Sequence, residues 1–285
     1  MIPASFEYFA PTSLKQTFEL LSIYKEDVKL IAGGQSLVPL MKLRLAKPKY
    51  LIDLTGISDL SYIRHESGTI RIGALATHAQ LEHSELLRTD CPILPQTAAT
   101  IGDVQVRNQG TVGGSLAHAD PAGDMPAAVL AAGAELKLTG PSRERWVKAE
   151  DFFIGFLTSC LEPDEILTEI KVPVRRGNKS AYLKAAQRAS GFAVVGVAVS
   201  LRLGNGGTCE EIALGITGVG DKAYRAGSVE KMLRGKRLET ALIEQAAAQV
   251  TRGVDPLEDI NGSKEYRTHL ARVYTTRAIQ AALAS

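Results

Sequence analysis

Val28-Lys29-Leu30-Ile31-Ala32-Gly33-Gly34-Gln35-Ser36-Leu37 decides how the chain is read. The apolar run from Val28 to Ala32 has the length and composition of a strand. Two glycines break it, and a helix-like stretch, Leu37 to Leu45, follows with Pro39 in its first turn. Upstream, Phe6 to Tyr8 reads as another strand. Ser13 to Glu26 carries Leu14, Phe18 and Leu21 at helical spacing behind an N-cap at Thr12 or Ser13. Downstream, Tyr50 to Leu54 returns as a strand, so residues 1–54 form a β-α-β-turn-α-β unit.

From residue 57 to 172 the pattern is mixed. Thr69 to Ala74, Glu135 to Thr139 and Ile166 to Val172 read as strands, with helices near Thr77 to Leu87 and Met125 to Ala132. Between them Gly102 to Gly123 reads as a long, Gly-punctuated loop, and a loop of that length with so many apolar residues is expected to be functional. Pro173 and Arg175-Arg176-Gly177-Asn178-Lys179 read as a linker, which predicts a boundary between parts 1–176 and 177–285, the first subdivided at residue 54. Beyond it, Ala193 to Leu203 and Cys209 to Thr217 flank Gly204-Asn205-Gly206-Gly207, a hairpin signal. Two helices, Leu238 to Arg252 and Ser263 to Ala284, close the chain.

Composition narrows the function classes. A chain of 285 residues with 45% hydrophobic residues can bury a large core, which excludes disorder. With 33 basic and 31 acidic residues scattered along it, the chain has a net charge of +2, so no nucleic-acid tail is implied. Cys91, Cys160 and Cys209 lie far apart without a C-x-x-C pair. They build neither a disulfide framework nor an iron–sulfur or thiolate metal site, and they fit a reducing, cytoplasmic compartment. His65, His78, His83, His118 and His269 are too dispersed to form a metal site. Neither a signal peptide nor a membrane-spanning run is read.

The 26 glycines exceed the usual ~7% share, and two pairs stand out: Gly33-Gly34 after the apolar strand and Gly113-Gly114 inside the long loop. Such turns let successive backbone N–H groups converge on one point, and a following helix adds the positive end of its dipole, which suits a phosphate. Each pair is followed by a hydroxyl residue, Ser36 or Ser115, and the second is preceded by Thr111. Two such cradles could hold the two phosphates of a dinucleotide. No phosphate-loop lysine motif is present. Gly218-Val219-Gly220-Asp221-Lys222-Ala223 mimics a nicotinamide fingerprint, but helical Ser228 to Leu233 replaces the second strand expected after it, so it reads as an ordinary turn.

Ala32-Gly33-Gly34-Gln35-Ser36-Leu37, the run Arg107-Asn108-Gln109-Gly110-Thr111-Val112-Gly113-Gly114-Ser115-Leu116-Ala117-His118-Ala119-Asp120-Pro121 and the closing Ser263-Lys264-Glu265-Tyr266-Arg267 resemble the FAD-binding medium subunits of the molybdenum hydroxylases, the family of carbon monoxide dehydrogenase and xanthine dehydrogenase. The resemblance spans Phe6 to about Ala281. It implies an α+β fold: a two-part FAD-binding domain of the vanillyl-alcohol-oxidase/PCMH-like type, followed by an antiparallel sheet with a helical bundle. It also implies that Ala32 to Ser36, with Thr111, Gly113, Gly114 and Ser115, grip the FAD pyrophosphate through backbone N–H groups and hydroxyls, and that Ile31 and Leu37 beside them also bind the cofactor. Asp124 matches an acid that hydrogen-bonds the ribityl or ribose hydroxyls, although its place before Met125-Pro126 also suits a helix N-cap. Ile101 and Leu167 match apolar contacts of the flavin, Lys184 a lysine near the ring, and His118 sits in the cofactor loop. Two departures are visible: many relatives carry Asn where Ser115 stands, and an acidic residue where Gly191 precedes Phe192.

What the resemblance implies is an oxidoreductase subunit that binds FAD non-covalently, with no catalytic side chain of its own. Electrons would come from [2Fe–2S] clusters on a small subunit, fed by molybdopterin on a large one, within a dimer of heterotrimers, and pass to an external acceptor. Two rivals are a stand-alone FAD-dependent oxidoreductase of the same cofactor-binding fold and a non-catalytic assembly module.

Overall fold

Strand and helix alternate from Glu7 to Asp53 in the computed structural model, which describes every residue from Met1 to Ser285. Strand β1 (Glu7–Phe9) leads to α1 (Leu14–Tyr24), where the Ser13 side chain accepts the Gln16 N–H as N-cap. Then come β2 (Val28–Ile31), α2 (Leu37–Lys42) and β3 (Tyr50–Asp53). The strands form a parallel sheet in the order β1-β3-β2. Parallel pairing requires crossovers, and α1 and α2 supply them. Leu21, Val28, Ile52 and Leu54 are buried between this sheet and what lies beneath it.

A five-stranded antiparallel sheet follows in the order β4-β5-β10-β6-β7, from β4 (Ile63–Glu66), β5 (Thr69–Gly73), β6 (Glu135–Thr139), β7 (Glu144–Lys148) and β10 (Ile166–Pro173). Its period-2 pattern fixes the faces: Ile70, Ile72, Leu136, Leu138, Ile170 and Val172 point to the core, while Arg71, Lys137, Glu169 and Lys171 point away. Six helices lie between β5 and β6: α3 (His78–His83), α4 (Glu85–Asp90), α5 (Ile93–Ala98), α6 (Val104–Gln109), α7 (Val112–His118) and α8 (Asp124–Ala132). The single helix expected near Thr77 to Leu87 is two, because Ser84 ends one and caps the next through the Leu87 N–H. The long loop expected over Gly102 to Gly123 is also corrected. It contains α6 and α7, capped by the side chains of Asp103 and Thr111. A short helix α9 (Ala149–Phe152) and the hairpin β8 (Phe153–Gly155) and β9 (Thr158–Ser159) complete this region.

The remaining sheet is antiparallel: β11 (Lys179–Ala186), β12 (Ala193–Leu203), β13 (Cys209–Thr217) and β14 (Tyr224–Arg225). Part of the stretch expected as a linker is thus the first residue of β11. In β12 every residue from Ala193 to Ser200 is buried, because α8 and α5 cover one face and α12 (Lys264–Ala284) the other, with α10 (Gly227–Leu233) and α11 (Thr240–Ala247) beside it. Burial on both faces removes the usual alternation. Tyr182, Ala198 and Ala223 join the apolar core of the preceding sheet, so the two halves share packing. Gly218 to Ala223 is a loop, as its reading as an ordinary turn anticipated.

Candidate functional site

A cleft of about 550 Å³ opens between the parallel sheet, the helices α6 to α8 and the end of β10. That volume lies within the range of cofactor sites, about 300–1,000 Å³. Ile31, Ala32, Gly33, Gly34, Gln35, Ser36 and Leu37 line one wall. Thr111, Gly113, Gly114, Ser115 and His118 line the facing one, with Ile101, Asp124 and Leu167 further along. Of the residues matched individually to cofactor contacts in the sequence, only Lys184 is absent from the lining.

The two glycine segments are in contact. A Cβ built on Gly33 would fall 1.9 Å from the Gln109 carbonyl oxygen and 2.7 Å from Gly110 Cα, so only glycine permits this approach. Gly34 adopts φ +72°, the left-handed region, and so turns the chain from β2 into α2. Between strand and helix, the backbone N–H groups of Gly33, Gly34, Gln35 and Ser36 find no acceptor within the protein. Four successive unpartnered amides in a cleft wall are an anion cradle: each offers a partial positive charge, and an oxyanion there would satisfy donors that are otherwise left open.

The second segment works differently from the expectation. Gly113-Gly114 lies in the first turn of α7 rather than in an open turn, and its amides are spent inside the protein. Val112 N donates to Ala76 O and Gly113 N to Ala74 O, both at 2.9 Å, and Gly114 N donates to Thr111 Oγ1 at 3.1 Å. What the segment offers the cleft is the Ser115 hydroxyl, which has no protein partner, and close packing against the first loop.

Asp124 is the first residue of α8, and Gly123 holds the cap position, so the N-cap role does not apply. Its carboxylate is buried, accepts the Tyr182 hydroxyl, and takes the Lys184 ammonium at 2.9 Å. Burial pushes the Asp124 carboxyl above its ordinary range, opposed by the Lys184 charge and the bonds from Tyr182 and Lys184. Lys184 Nζ also donates to Thr100 O and Gly191 O, both at 2.8 Å. The lysine therefore acts on the cleft through Asp124 and through the loop bearing Ser190, Gly191 and Phe192, all of which line the mouth.

Several lining residues escaped the sequence reading. His78, the first residue of α3, is buried beside Gly110, and its Nδ1 has no partner. Burial, with the Arg107 charge, pushes it down to about 4, so it is neutral at pH 7. Glu165 is held by Arg145 at 2.8 and 2.7 Å, which keeps its carboxyl below the usual range. Lys29 lines the cleft without an ion pair. Only the Thr77 cap beside His78 and the β2 run containing Lys29 carried any local signal. No three His, Cys, Asp or Glu side chains converge as metal ligands, and no helix is long and apolar enough to cross a membrane.

Fold and cleft together define a protein with a cofactor-sized cleft, walled on one side by open backbone amides, between a small parallel-sheet unit and a larger antiparallel one. Residues 4–175 match the family model described as the FAD binding domain in molybdopterin dehydrogenase, and residues 180–282 the CO dehydrogenase flavoprotein C-terminal domain. The glyceraldehyde dehydrogenase medium chain of Sulfolobus acidocaldarius is 37% identical over 280 residues, covering 98% of this chain and 99% of that one. The carbon monoxide dehydrogenase medium chain of Afipia carboxidovorans is 39% identical over 285 residues, covering 100% and 99%. A solved carbon monoxide dehydrogenase from Hydrogenophaga pseudoflava, lacking the Mo-pyranopterin moiety, superposes with a TM-score of 0.96 at 40% identity over 100% of this chain and 99% of that one. The chain belongs to the FAD-binding medium subunits of the molybdenum hydroxylases, and it is a subunit of an oxidoreductase.

Proposed function

We propose that the cleft holds FAD non-covalently and that the unpartnered amides of Gly33 to Ser36 seat its diphosphate, with Ser115 donating from the facing wall. The four open amides carry this reading, because successive half-exposed N–H groups that converge on a cleft without a protein acceptor are placed to bind an anion. Asp124 orients the ribityl or ribose hydroxyls. Two of its four lone-pair sites are taken by Tyr182 and Lys184, which fix its rotamer and leave the others to accept. Ile31, Leu37, Ile101 and Leu167 supply apolar surface that keeps water from the ring, with Phe192 at the mouth. Thr111 holds the first turn of α7 through the Gly114 amide. The chemistry FAD would supply when bound is electron transfer to an external acceptor, and these residues would hold and shield it.

The donor is read as a small [2Fe–2S] subunit fed by a large molybdopterin subunit, in a dimer of heterotrimers. The chain is divided into an FAD-binding part, 1–176, with subdivisions 1–54 and 55–176, and a C-terminal part, 177–285. Its three free cysteines fit a cytoplasmic, reducing setting. Purification of the native complex tests the reading. One FAD per copy of this chain, with iron and molybdenum on co-purifying chains, is expected; a partnerless, colourless protein would sink it.

A further inference from the structure

The Ser263 to Arg267 motif lies far from the cleft in sequence, yet a chain of hydrogen bonds connects it to the cleft floor. Ser263 caps α12 through the Tyr266 N–H and so sets Arg267 inside the first turns. The Arg267 side chain is almost fully buried, with 4% of it exposed. Its Nη1 donates to Val194 O at 2.7 Å and Gly218 O at 2.6 Å, and its Nη2 to Asp259 Oδ1 at 2.6 Å. A buried guanidinium is stable only with such partners, and here two of the three are carbonyls at neighbouring strand ends.

Those strand ends hold the cleft. The β12–β13 ladder ends at the pair Gly196 and Thr217, after which Gly218, at φ +81°, turns the chain so that its carbonyl and that of Val194 meet the same guanidinium. From this point the Gly218 N–H donates to Pro121 O at 2.6 Å. The Thr217 hydroxyl lies 2.6 Å from Pro121 O and 2.7 Å from Gly123 O, and the Ala193 N–H donates to Ala122 O at 3.3 Å. Residues 121–123 are thus gripped carbonyl by carbonyl, and the residues on either side, Asp120 and Asp124, line the cleft.

The geometry points to Arg267 as a positioning residue for the cofactor cleft: it locks the ends of β12 and β13, which fix the Asp120–Asp124 segment. This rests on the cleft being the FAD site. It gives the C-terminal sheet and α12 a role in cofactor retention, separate from the direct grip of Tyr182 and Lys184 on the Asp124 side chain.

The test uses the complex assembled with its partner subunits and carrying R267K, T217V, both, or L233A, which softens the same apolar core away from this path. FAD release on dilution is followed by flavin fluorescence, and hydrogen exchange is read at the Ala193 and Gly218 amides. Lysine reaches fewer carbonyls than the guanidinium fork. R267K should release FAD at least tenfold faster and T217V at least threefold faster. The double variant should stay within twofold of R267K, because both act through one segment, and L233A should stay within twofold of the unaltered complex. Release within twofold of the unaltered complex in both single variants overturns the proposal, as does a double variant that multiplies the single effects. If R267K fails to assemble, T217V decides alone: faster release than L233A supports the assignment, and release equal to L233A ends it. An unaltered complex that holds no flavin refutes the cofactor reading instead. Faster exchange at Ala193 and Gly218 in R267K would then still support the clamp, and unchanged exchange would overturn it.

Discussion

Replacing Gly33 with alanine tests the cleft at its narrowest point. The added Cβ would lie 1.9 Å from Gln109 O, 2.6 Å from its carbonyl carbon and 2.7 Å from Gly110 Cα. All three are backbone atoms, so no side-chain rotation relieves the overlap. Real Cβ contacts essentially never fall under 3.0 Å, and the two segments must therefore separate by about 1 Å. That shift moves the Gly33 and Gly34 amides out of line with whatever anion they hold. Two charge-assisted hydrogen bonds at about 1.5 kcal/mol each amount to about 3 kcal/mol, or on the order of a hundredfold in Kd. A control separates collision from backbone strain: Gly33 is outside the left-handed region, so its alanine meets collision alone, whereas Gly177→Ala places a Cβ at φ +79° with nothing within 4 Å of it. It should cost about 1 kcal/mol of stability and leave FAD affinity unchanged. Flavin absorbance per chain and fluorescence titration of the assembled complex read the outcome. A folded G33A complex that binds FAD within threefold of the unaltered one would refute the close-approach reasoning.

Other outcomes follow from neighbouring groups. Ser115→Ala removes a hydroxyl with no protein partner, so FAD affinity should fall about two- to tenfold with the melting temperature unchanged; a drop in melting without loss of affinity would show the hydroxyl to be structural. Lys184→Met leaves the buried Asp124 carboxylate without its cation and should destabilise the chain by about 3–5 kcal/mol at pH 7. Because the folded Asp124 carboxyl is raised above its ordinary 3.8, its charged form costs stability above that folded value. The Lys184→Met deficit should therefore shrink as pH falls toward 3.8, and denaturant melts giving a pH-independent deficit would contradict this. Cys91 and Cys209 are buried, which pushes their thiols up to about 12 and about 11, while Cys160 is partly exposed. A thiol reagent at neutral pH should modify at most one cysteine in the native chain and three after denaturation; three equally fast native reactions would disprove that burial pattern.

The first glycine pair was legible in the sequence because every signal at it is local: an apolar strand, two residues free of Cβ, then a proline-bearing helix start. The second pair was not. Glycine weakens helices by about 1 kcal/mol, so Gly113-Gly114 reads as a turn. In the fold, Thr111 caps the helix and Gly113 donates to Ala74 O, two contacts that outweigh propensity. The same limit hid β4, β7 and α5, whose short runs are stabilised by neighbours distant in the chain.

Sequence by itself determined the strand–helix alternation of residues 1–54, the hairpin near the Gly204 to Gly207 turn and the absence of a cysteine cluster, because composition, turns and periodicity are written within a few residues of each other. Only the tertiary structure decided which amides stay open and which are already spent. It also decided that Lys184 and Tyr182 meet Asp124, about sixty positions earlier, and that Arg267 reaches the strand ends behind Asp120–Asp124. A hydrogen bond's partner is a matter of distance in space, and distance in space is set by packing that no local stretch contains.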